Sequence, residues 1–482
     1  MIEDPTRRTL LWFRRQLRID DQPLLGAVDP ARDAVVAVWI LDPRELLAEV
    51  EGRPRAGGLR LRFLLESVAD LRESLLGRGV ELLVRTGEPE TILPGLCTDL
   101  GIDRLHFVAE PGTEERAVER GIGRVLDTIA RPLAPESVLE IDDPVAFARD
   151  LPEVFSRFRR SAEKTLAWGR PVGAPSALRG LERPDHVPMG DIPTLSDLGA
   201  DDHAPDPRGV LPFRGGETAG LERVGNWIFA GDHLRRYKET RNGLLGESYS
   251  SKFSPWLSVG AVSPRRIAAE TLRYESERTA NDSTYWLRFE LLWREFFRLH
   301  LLKHGARLFR ASGPADVPLR WGDSDARFEA WRSGRTGVPL VDANMRELES
   351  TGFMSNRGRQ IVASFLAKNL DVDWRRGARW FEHCLLDACP AANWGNWAYA
   401  AGVGADPRGF RGFDVAKQAR NYDPRGEYVL HWLPEELAGV PEQARHAPWT
   451  HGGAKPIVDP VASLDAARDR WEAANPSNPR RR

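Results

Sequence analysis

The residues of this chain best suited to chemistry are Trp374, Asp387 and the run Asn393-Trp-Gly-Asn-Trp397, which set spaced indoles beside a carboxylate and an amide. Indole gives up an electron readily, so the pattern suggests a relay that ends at a bound redox cofactor. The chain holds 16 Trp against 7 Tyr, and eleven of the Trp lie between Trp227 and Trp432. That density locates the expected chemistry in the second half of the chain.

Two further clusters have helical spacing. Glu290, Trp293 and Arg294 fall at i, i+3 and i+4, so one helix face offers a carboxylate, a large aromatic and a guanidinium together. Asn356, Arg359 and Gln360 repeat that spacing after the turn Ser350-Thr-Gly352, and side-chain amides suit the edge of a base or of an isoalloxazine. The bland reading of the second cluster is a solvated helix start capped by Ser355. Upstream, Ser250, Ser251 and Ser254, with Lys252 and Tyr237 nearby, precede an apolar stretch. Hydroxyls and free amides at a helix start can hold phosphate, with Arg294 as the balancing charge for a diphosphate. A glycine-rich P-loop is absent from the sequence.

These side chains need rigid elements to hold them. Thr9–Phe13, Ala34–Leu41, Val80–Arg85 and Leu105–Ala109 read as short apolar strands alternating with helical patterns, which predicts a parallel sheet flanked by helices. Leu61, Leu64, Leu65, Val68, Leu71 and Leu75 form the buried stripe of a helix over Leu59–Leu76, with Arg60, Arg62, Glu66 and Asp70 expected to face water. From about Trp168 to Gly220 the sequence is rich in Pro, Gly and Asp, the composition of a surface linker. Beyond it, Leu221–Tyr237, Tyr285–Leu302, Ser324–Ser333, Val341–Thr351, Asn356–Lys368 and Trp374–Asp387 carry helical periodicity. The expected organisation is an α/β domain over 1–150 with a doubly wound parallel sheet, a linker over 151–220, an all-helical domain over 221–440 and a tail over 441–482. The closing Arg480-Arg-Arg482 reads as a frayed terminus.

A chain of 482 residues suits two or three domains, and 41% hydrophobic with 29% charged residues is a soluble composition. Cys97, Cys384 and Cys389 lack metal spacing, cannot build an iron–sulfur cluster and leave an odd thiol, which points to a reducing compartment. Neither a signal peptide nor a membrane-length apolar run is visible, so the expectation is a soluble, cytoplasmic monomer with no membrane partner.

Taken together, the motifs Leu11-Trp-Phe-Arg14, Tyr249-Ser-Ser-Lys-Phe-Ser-Pro-Trp256, Leu291-Leu-Trp-Arg294, Gly337–Met345, Gly352–Gln360 and Asn393–Trp397 resemble the cryptochrome/photolyase flavoproteins, most nearly their DASH type, from Leu10 to about Trp449. The resemblance implies a helical domain that buries FAD. It places Tyr237, Ser250, Ser251, Ser254, Arg294, Asn356, Arg359, Asp387 and Asn393 at flavin-pocket positions, with Arg359 and Asp387 paired near the flavin and Asn393 facing its N5. A second pocket aspartate of the family, two positions after Asp387, is Cys389 here, a poorer partner for a ring amide. The electron relay carries over as Trp397, Trp374 and Trp321, from the flavin outward. Glu290, Trp293, Asn356, Gln360 and Tyr399 match positions that face a pyrimidine dimer, and Arg357 and Arg411 match rim positions that meet DNA phosphate. Glu115, within Glu114-Glu115-Arg116, matches a region that binds the antenna 5,10-methenyltetrahydrofolate, although the helix dipole alone also favours acidic residues there.

The resemblance thus implies a blue-light enzyme without a catalytic metal, in which excited reduced flavin lends an electron to a cyclobutane pyrimidine dimer. Gln360 and Tyr399 stand where duplex-repairing relatives typically carry Met and Trp, and this polarity points to dimers in single-stranded DNA. RNA is left open as a second ligand. The alternatives are a photoreceptor that repairs nothing, and a dark flavin oxidoreductase, which would need a nicotinamide site that no Gly-x-Gly-x-x-Gly supplies.

Overall fold

The computed structural model describes residues 6–405 and 410–474. Its N-terminal part is a parallel sheet of five strands, β1 (Arg7–Phe13), β2 (Asp33–Leu41), β3 (Leu82–Thr86), β4 (Arg104–Val108) and β5 (Ala130–Leu133), in the order β3-β2-β1-β4-β5. Leu10–Phe13 and Ala34–Leu41 are buried throughout, as strands covered on both faces must be. The strand order reverses between β1 and β4, so the crevice at the carboxyl ends of these strands is the natural ligand position of the sheet. The four strands expected from sequence form with ends displaced by one or two residues. The fifth escapes sequence reading because Ala-Arg-Pro-Leu has no alternation, and its Pro is tolerated only because β5 lies at the sheet edge.

Helix α1 (Gly58–Leu76) buries the predicted stripe apart from half-buried Leu64, but its other face does not simply face water. Arg60 is buried and donates to the Glu382 carbonyl at 2.8 Å, while Glu66 accepts from the Gly215 amide at 2.7 Å. The Pro-rich segment and the helical part cover that face, which periodicity within α1 cannot reveal. The segment between sheet and helices is likewise pinned: Leu181 N donates to Val35 O at 2.8 Å and Val84 N to Met189 O at 2.9 Å. Helix α2 (Thr113–Val125) follows β4, and α3 (Phe155–Thr165) packs its Phe155 and Phe158 into the core of the helical part.

The expected helix over Leu221–Tyr237 is broken into α4 (Glu217–Gly225), a wider π turn at Asn226–Ala230 and a 3-10 turn at His233–Arg236. The π turn carries the fully buried Trp227, and Asp232, in the left-handed region at φ 53°, separates it from the 3-10 turn. The site is then built from α5 (Ser254–Ser258), α6 (Asp282–His304), α7 (Pro339–Thr351), α8 (Asn356–Ser364), α9 (Trp374–Cys384) and α10 (Pro390–Ala401). Helix α6 starts with a full capping box from Asn281 and Thr284. The expected helix over Asn356–Lys368 leaves α geometry at Phe365, where a π turn begins. Within the polar tail, α11 (Pro460–Ala474) docks on that turn through Asn369, whose Nδ2 donates to Pro460 O at 2.8 Å and to Ser463 Oγ at 2.9 Å. Arg480–Arg482 lie outside the described residues.

Candidate flavin and substrate site

Arg359, in the first turn of α8, and Asp387, between α9 and α10, form a two-pronged ion pair: Arg359 Nη1 donates to Asp387 Oδ1 and Nη2 to Oδ2, both at 2.9 Å. Arg359 Nε donates to Met354 O at 2.9 Å, so the guanidinium plane is held at three points. Asn393, one turn into α10, spends an amide hydrogen on the Ala378 carbonyl of α9 at 2.8 Å, which leaves its Oδ1 as the free acceptor. Ser258 of α5 donates to Leu386 O at 3.2 Å and joins the serine segment to the Asp387 segment.

The serine segment is held by its backbone. Arg223 of α4 donates to the carbonyls of Glu247 (2.8 Å), Ser251 (3.1 Å) and Ser250 (3.4 Å), and Lys252 turns the chain at φ 56°. Trp227 packs edge-on against Tyr237 and Phe253 at 5.4 and 5.7 Å, which places Tyr237 beside this segment. Arg294 reaches α5, with Nη2 donating to Leu257 O at 3.3 Å, while its buried Nη1 has no partner. Burial and the neighbouring Arg298 hold the Arg294 guanidinium below its ordinary pKa. A buried donor without an acceptor costs about 1–3 kcal/mol, and an anionic group would relieve it. The residues present therefore fit a flavin dinucleotide, with the Arg359–Asp387 fork and Asn393 suited to the ring, and the serine hydroxyls and Arg294 suited to the diphosphate.

Cys389 is the N-cap of α10 and makes no capping hydrogen bond. With Arg294 and Arg298 it lines a small cavity at the junction with the sheet. The carboxylate that the resemblance implies at this position would cap the helix and face two guanidinium groups, so Cys389 leaves a charge missing near the unpartnered Nη1 of Arg294.

The five residues expected around a substrate are not equally placed. Glu290 is paired with Arg241 and accepts from Trp286 Nε1 at 3.1 Å. Burial pushes its carboxyl above the usual range, opposed by Arg241 and the indole. Trp293 lies edge-to-face with Tyr399 at 6.0 Å, while one of its faces is already covered by Phe155 at 3.7 Å. Gln360 accepts from Arg357 Nη1 at 2.9 Å, and Arg357 Nη2 donates to Asn242 at 2.9 Å. Arg411 donates to the Tyr399 hydroxyl at 3.4 Å, and both Arg357 and Arg411 lie over the Phe413 ring, at 6.0 and 5.2 Å. Six contacts, joined by the chain step from Arg241 to Asn242, run from Glu290 through Arg241, Asn242, Arg357, Phe413, Arg411 and Tyr399 to Trp293, which stands one turn after Glu290 on α6. Asn356 is exposed at the start of α8 and stands outside this series, with Ser355 as the cap.

The structure adds residues that sequence reading missed. Trp286 lies four before Glu290 on α6, a helical spacing that could have found it. Arg241, Asn242 and Phe413 sit outside regular periodicity, and no local signal marks them. Beneath the fork, wholly buried Glu347 of α7 accepts from the Tyr428 hydroxyl at 2.7 Å. Burial pushes Glu347 up to about 8 and Lys252 down to about 6.

The three tryptophans expected to form the relay differ in exposure: Trp397 and Trp374 are buried, and Trp321 is half-buried. Trp374 Nε1 and Trp321 Nε1 donate to the same carbonyl, that of Ala311, at 3.1 and 3.0 Å. Trp397 rests on Gly377, one turn beyond Trp374 on α9, where any β-carbon would overlap the indole. In the sheet, a cavity of about 410 Å³ opens at the carboxyl ends of β1 and β2, lined among others by Arg15, Trp39, Glu45, Arg60 and Glu115. Glu115 is bound by Arg15 at 3.1 Å, and burial raises its carboxyl pKa.

A doubly wound sheet followed by a helical bundle with this constellation defines a two-part protein of the photolyase class. A model described as DNA photolyase matches residues 9–177, and one described as the FAD binding domain of DNA photolyase matches residues 286–472. Cryptochrome DASH of Gloeobacter violaceus is 48% identical over 447 residues, covering 92% of this chain and 89% of the relative. That of Synechocystis sp. is 46% identical over 448 residues, covering 91% and 90%. The chain belongs to the cryptochrome DASH branch of the photolyase/cryptochrome family. Its fold is similar to the crystal structure of the Synechocystis sp. PCC6803 cryptochrome, with a TM-score of 0.90 and 43% identity over 97% of this chain and 99% of that one. A bacterial class III photolyase from Agrobacterium tumefaciens follows at a TM-score of 0.84 and 29% identity, covering 98% and 99%. Among the described residues, no helix is long and apolar enough to cross a membrane.

Proposed function

We propose that this chain holds FAD in its helical part and uses blue light to split cyclobutane pyrimidine dimers, preferentially in single-stranded DNA. The observation that carries the reading is the series of contacts that links Glu290 through Arg357, Arg411 and Tyr399 to Trp293, which we take as the mouth that receives an extruded dimer. Bound FAD supplies a light-driven electron donor. The chain's own residues do the rest. Arg359, steadied by Asp387, offsets negative charge on the buried ring. Glu290, held between Arg241 and the Trp286 indole, is placed to hydrogen-bond the dimer. Trp293 and Tyr399 wall the pocket, and Arg357 and Arg411 offer charge to the flanking phosphates.

Trp397, Trp374 and Trp321 carry electrons inward to restore reduced flavin and take no part in each repair cycle. Polar Gln360 and Tyr399 grip a dimer less than apolar rings would, and a single strand spares a few kcal/mol of unpairing. In the sheet, the cavity at the carboxyl ends of β1 and β2, whose lining alternates arginines with carboxylates such as Arg15 with Glu115, has room for an antenna chromophore. A folate such as 5,10-methenyltetrahydrofolate is the reading favoured by the resemblance. The Sulfolobus tokodaii photolyase, 26% identical, is described with two FAD molecules, which makes a second flavin the comparison to run.

One observation favours a photoreceptor instead: Glu290 and Gln360 are already satisfied by Arg241 and Arg357. The deciding experiment is blue-light repair of a thymine dimer in a single-stranded oligonucleotide, beside a matched duplex and a dark control. Repair confined to the single strand, and lost in Glu290→Ala with the flavin spectrum intact, is the expected result. No repair by flavin-loaded, photoreducible protein selects the receptor.

A further inference from the structure

At the far end of α6, about two and three turns beyond Trp293, His300 and His304 present their rings on one helix face, four residues apart. The rings lie 4.3 Å apart, centre to centre. Glu153, from the segment before α3, approaches both: its Oε2 is 2.9 Å from His304 Nε2 and 3.6 Å from His300 Nε2. One donor atom from each of the three side chains falls within 4.8 Å of the others. The photochemistry proposed above uses none of them.

A plain hydrogen-bonded cluster leaves a residue unexplained. His300 is 2% exposed, yet neither of its ring nitrogens has a hydrogen-bond partner. An imidazole buried in that state forfeits about 1–3 kcal/mol. The carboxylate is already aimed, because Lys303 holds Glu153 Oε1 at 2.7 Å and is itself anchored on Leu151 O at 2.6 Å. Such outer contacts orient a ligating carboxylate.

We propose that Glu153, His300 and His304 form a divalent metal site of zinc type. Two His four apart on a helix with a carboxylate from elsewhere is a zinc-binding donor set. Zinc–ligand bonds of about 2.0–2.2 Å in a tetrahedron separate the donors by roughly 3.3–3.5 Å, and the 2.9 and 3.6 Å separations bracket that spacing. Glu153 is largely exposed, so water completes the fourth position. The site fastens the segment before α3 to α6. Phe155, two residues after Glu153, stacks on Trp293 at 3.7 Å, so a bound ion steadies the wall of the substrate pocket from behind without touching substrate.

The test uses the flavin-loaded full chain, stripped with a chelator and dialysed. Zn²⁺ is titrated against a chromophoric chelator, and Co²⁺ is followed through its tetrahedral bands, which lie to the red of flavin absorption. One equivalent of Zn²⁺ is expected to bind, at least about tenfold more weakly in Glu153→Gln and His304→Asn, and with no intense Co²⁺ bands in His300→Ala. Glu153 is a surface residue, so Glu153→Gln folds even if His300→Ala does not. Absence of saturable Zn²⁺ binding, or unchanged affinity in Glu153→Gln and His304→Asn, overturns the assignment whatever the protein does to DNA.

Discussion

Replacing Asp387 by Asn tests the flavin site at its most definite geometric feature. The change keeps the shape of the side chain but removes the charge and one of two acceptors facing Arg359. Hydrogen bonds to charged groups contribute roughly 1.5–3 kcal/mol each, and stripping one partner from a buried pair costs roughly 3–5 kcal/mol. Two features reduce that figure. The Arg359 side chain retains 24% exposure, so water reaches the abandoned guanidinium, and Nε keeps its bond to Met354 O. A destabilisation of about 2–3 kcal/mol is therefore expected for the flavin-free protein. It would be read as a lower urea midpoint at unchanged slope, beside Asp387→Glu as a charge-conserving control. Flavin occupancy, from the ratio of visible to ultraviolet absorbance, should fall in the same variant, because the guanidinium is no longer fixed. A variant that unfolds within about 0.5 kcal/mol of the parent and still purifies with full flavin would refute the argument that this fork organises the pocket.

Three further outcomes follow from the same geometry. Trp397→Phe should abolish photoreduction of oxidised flavin while chemically reduced protein keeps whatever repair activity the parent has; loss of both, or of neither, contradicts the assigned division of labour. Glu347 and Lys252 should nearly cancel in the pH dependence of stability between about 6 and about 8, because Glu347, with its raised pKa, loses stability as pH rises, while Lys252, with its depressed pKa, gains it. Glu347→Gln removes the first slope, so its stability should rise with pH across that window by up to about 1.4 kcal/mol per unit, measured by urea unfolding at several pH values. Cys389→Asp should restore a capping acceptor to α10 and a charge beside Arg294, raising stability by about 1 kcal/mol in thermal or urea unfolding; no gain would mean that the N-cap geometry does not admit the carboxylate.

Local patterns carry much of the fold. Strand alternation with apolar runs, and the stripe of α1, are consequences of which neighbours along the chain share a face, and they place four strands and most of the seven helices read from periodicity near their observed limits. The same logic found Glu290, Trp293 and Arg294 on one face of α6. It failed where a third body intervened, as the linker and the helical part cover the polar face of α1, and where the backbone leaves its regular pattern, at the turns after α4 and at the edge-strand Pro of β5. Periodicity reports one element's neighbours along the chain and is blind to what covers it.

What the sequence determined by itself is therefore the set of chemical groups and the elements that carry them. Only the tertiary structure decided which groups meet. Arg359 and Asp387 are 28 residues apart and Arg241 and Glu290 are 49 apart, and neither pairing has a local signature. Trp321 and Trp374 are joined by one carbonyl, that of Ala311, and Glu153 meets His300 and His304 only because the segment before α3 folds back on α6. Such contacts are set by how apolar faces pack and by which buried polar atoms remain to be satisfied, and both depend on the three-dimensional arrangement of the whole chain.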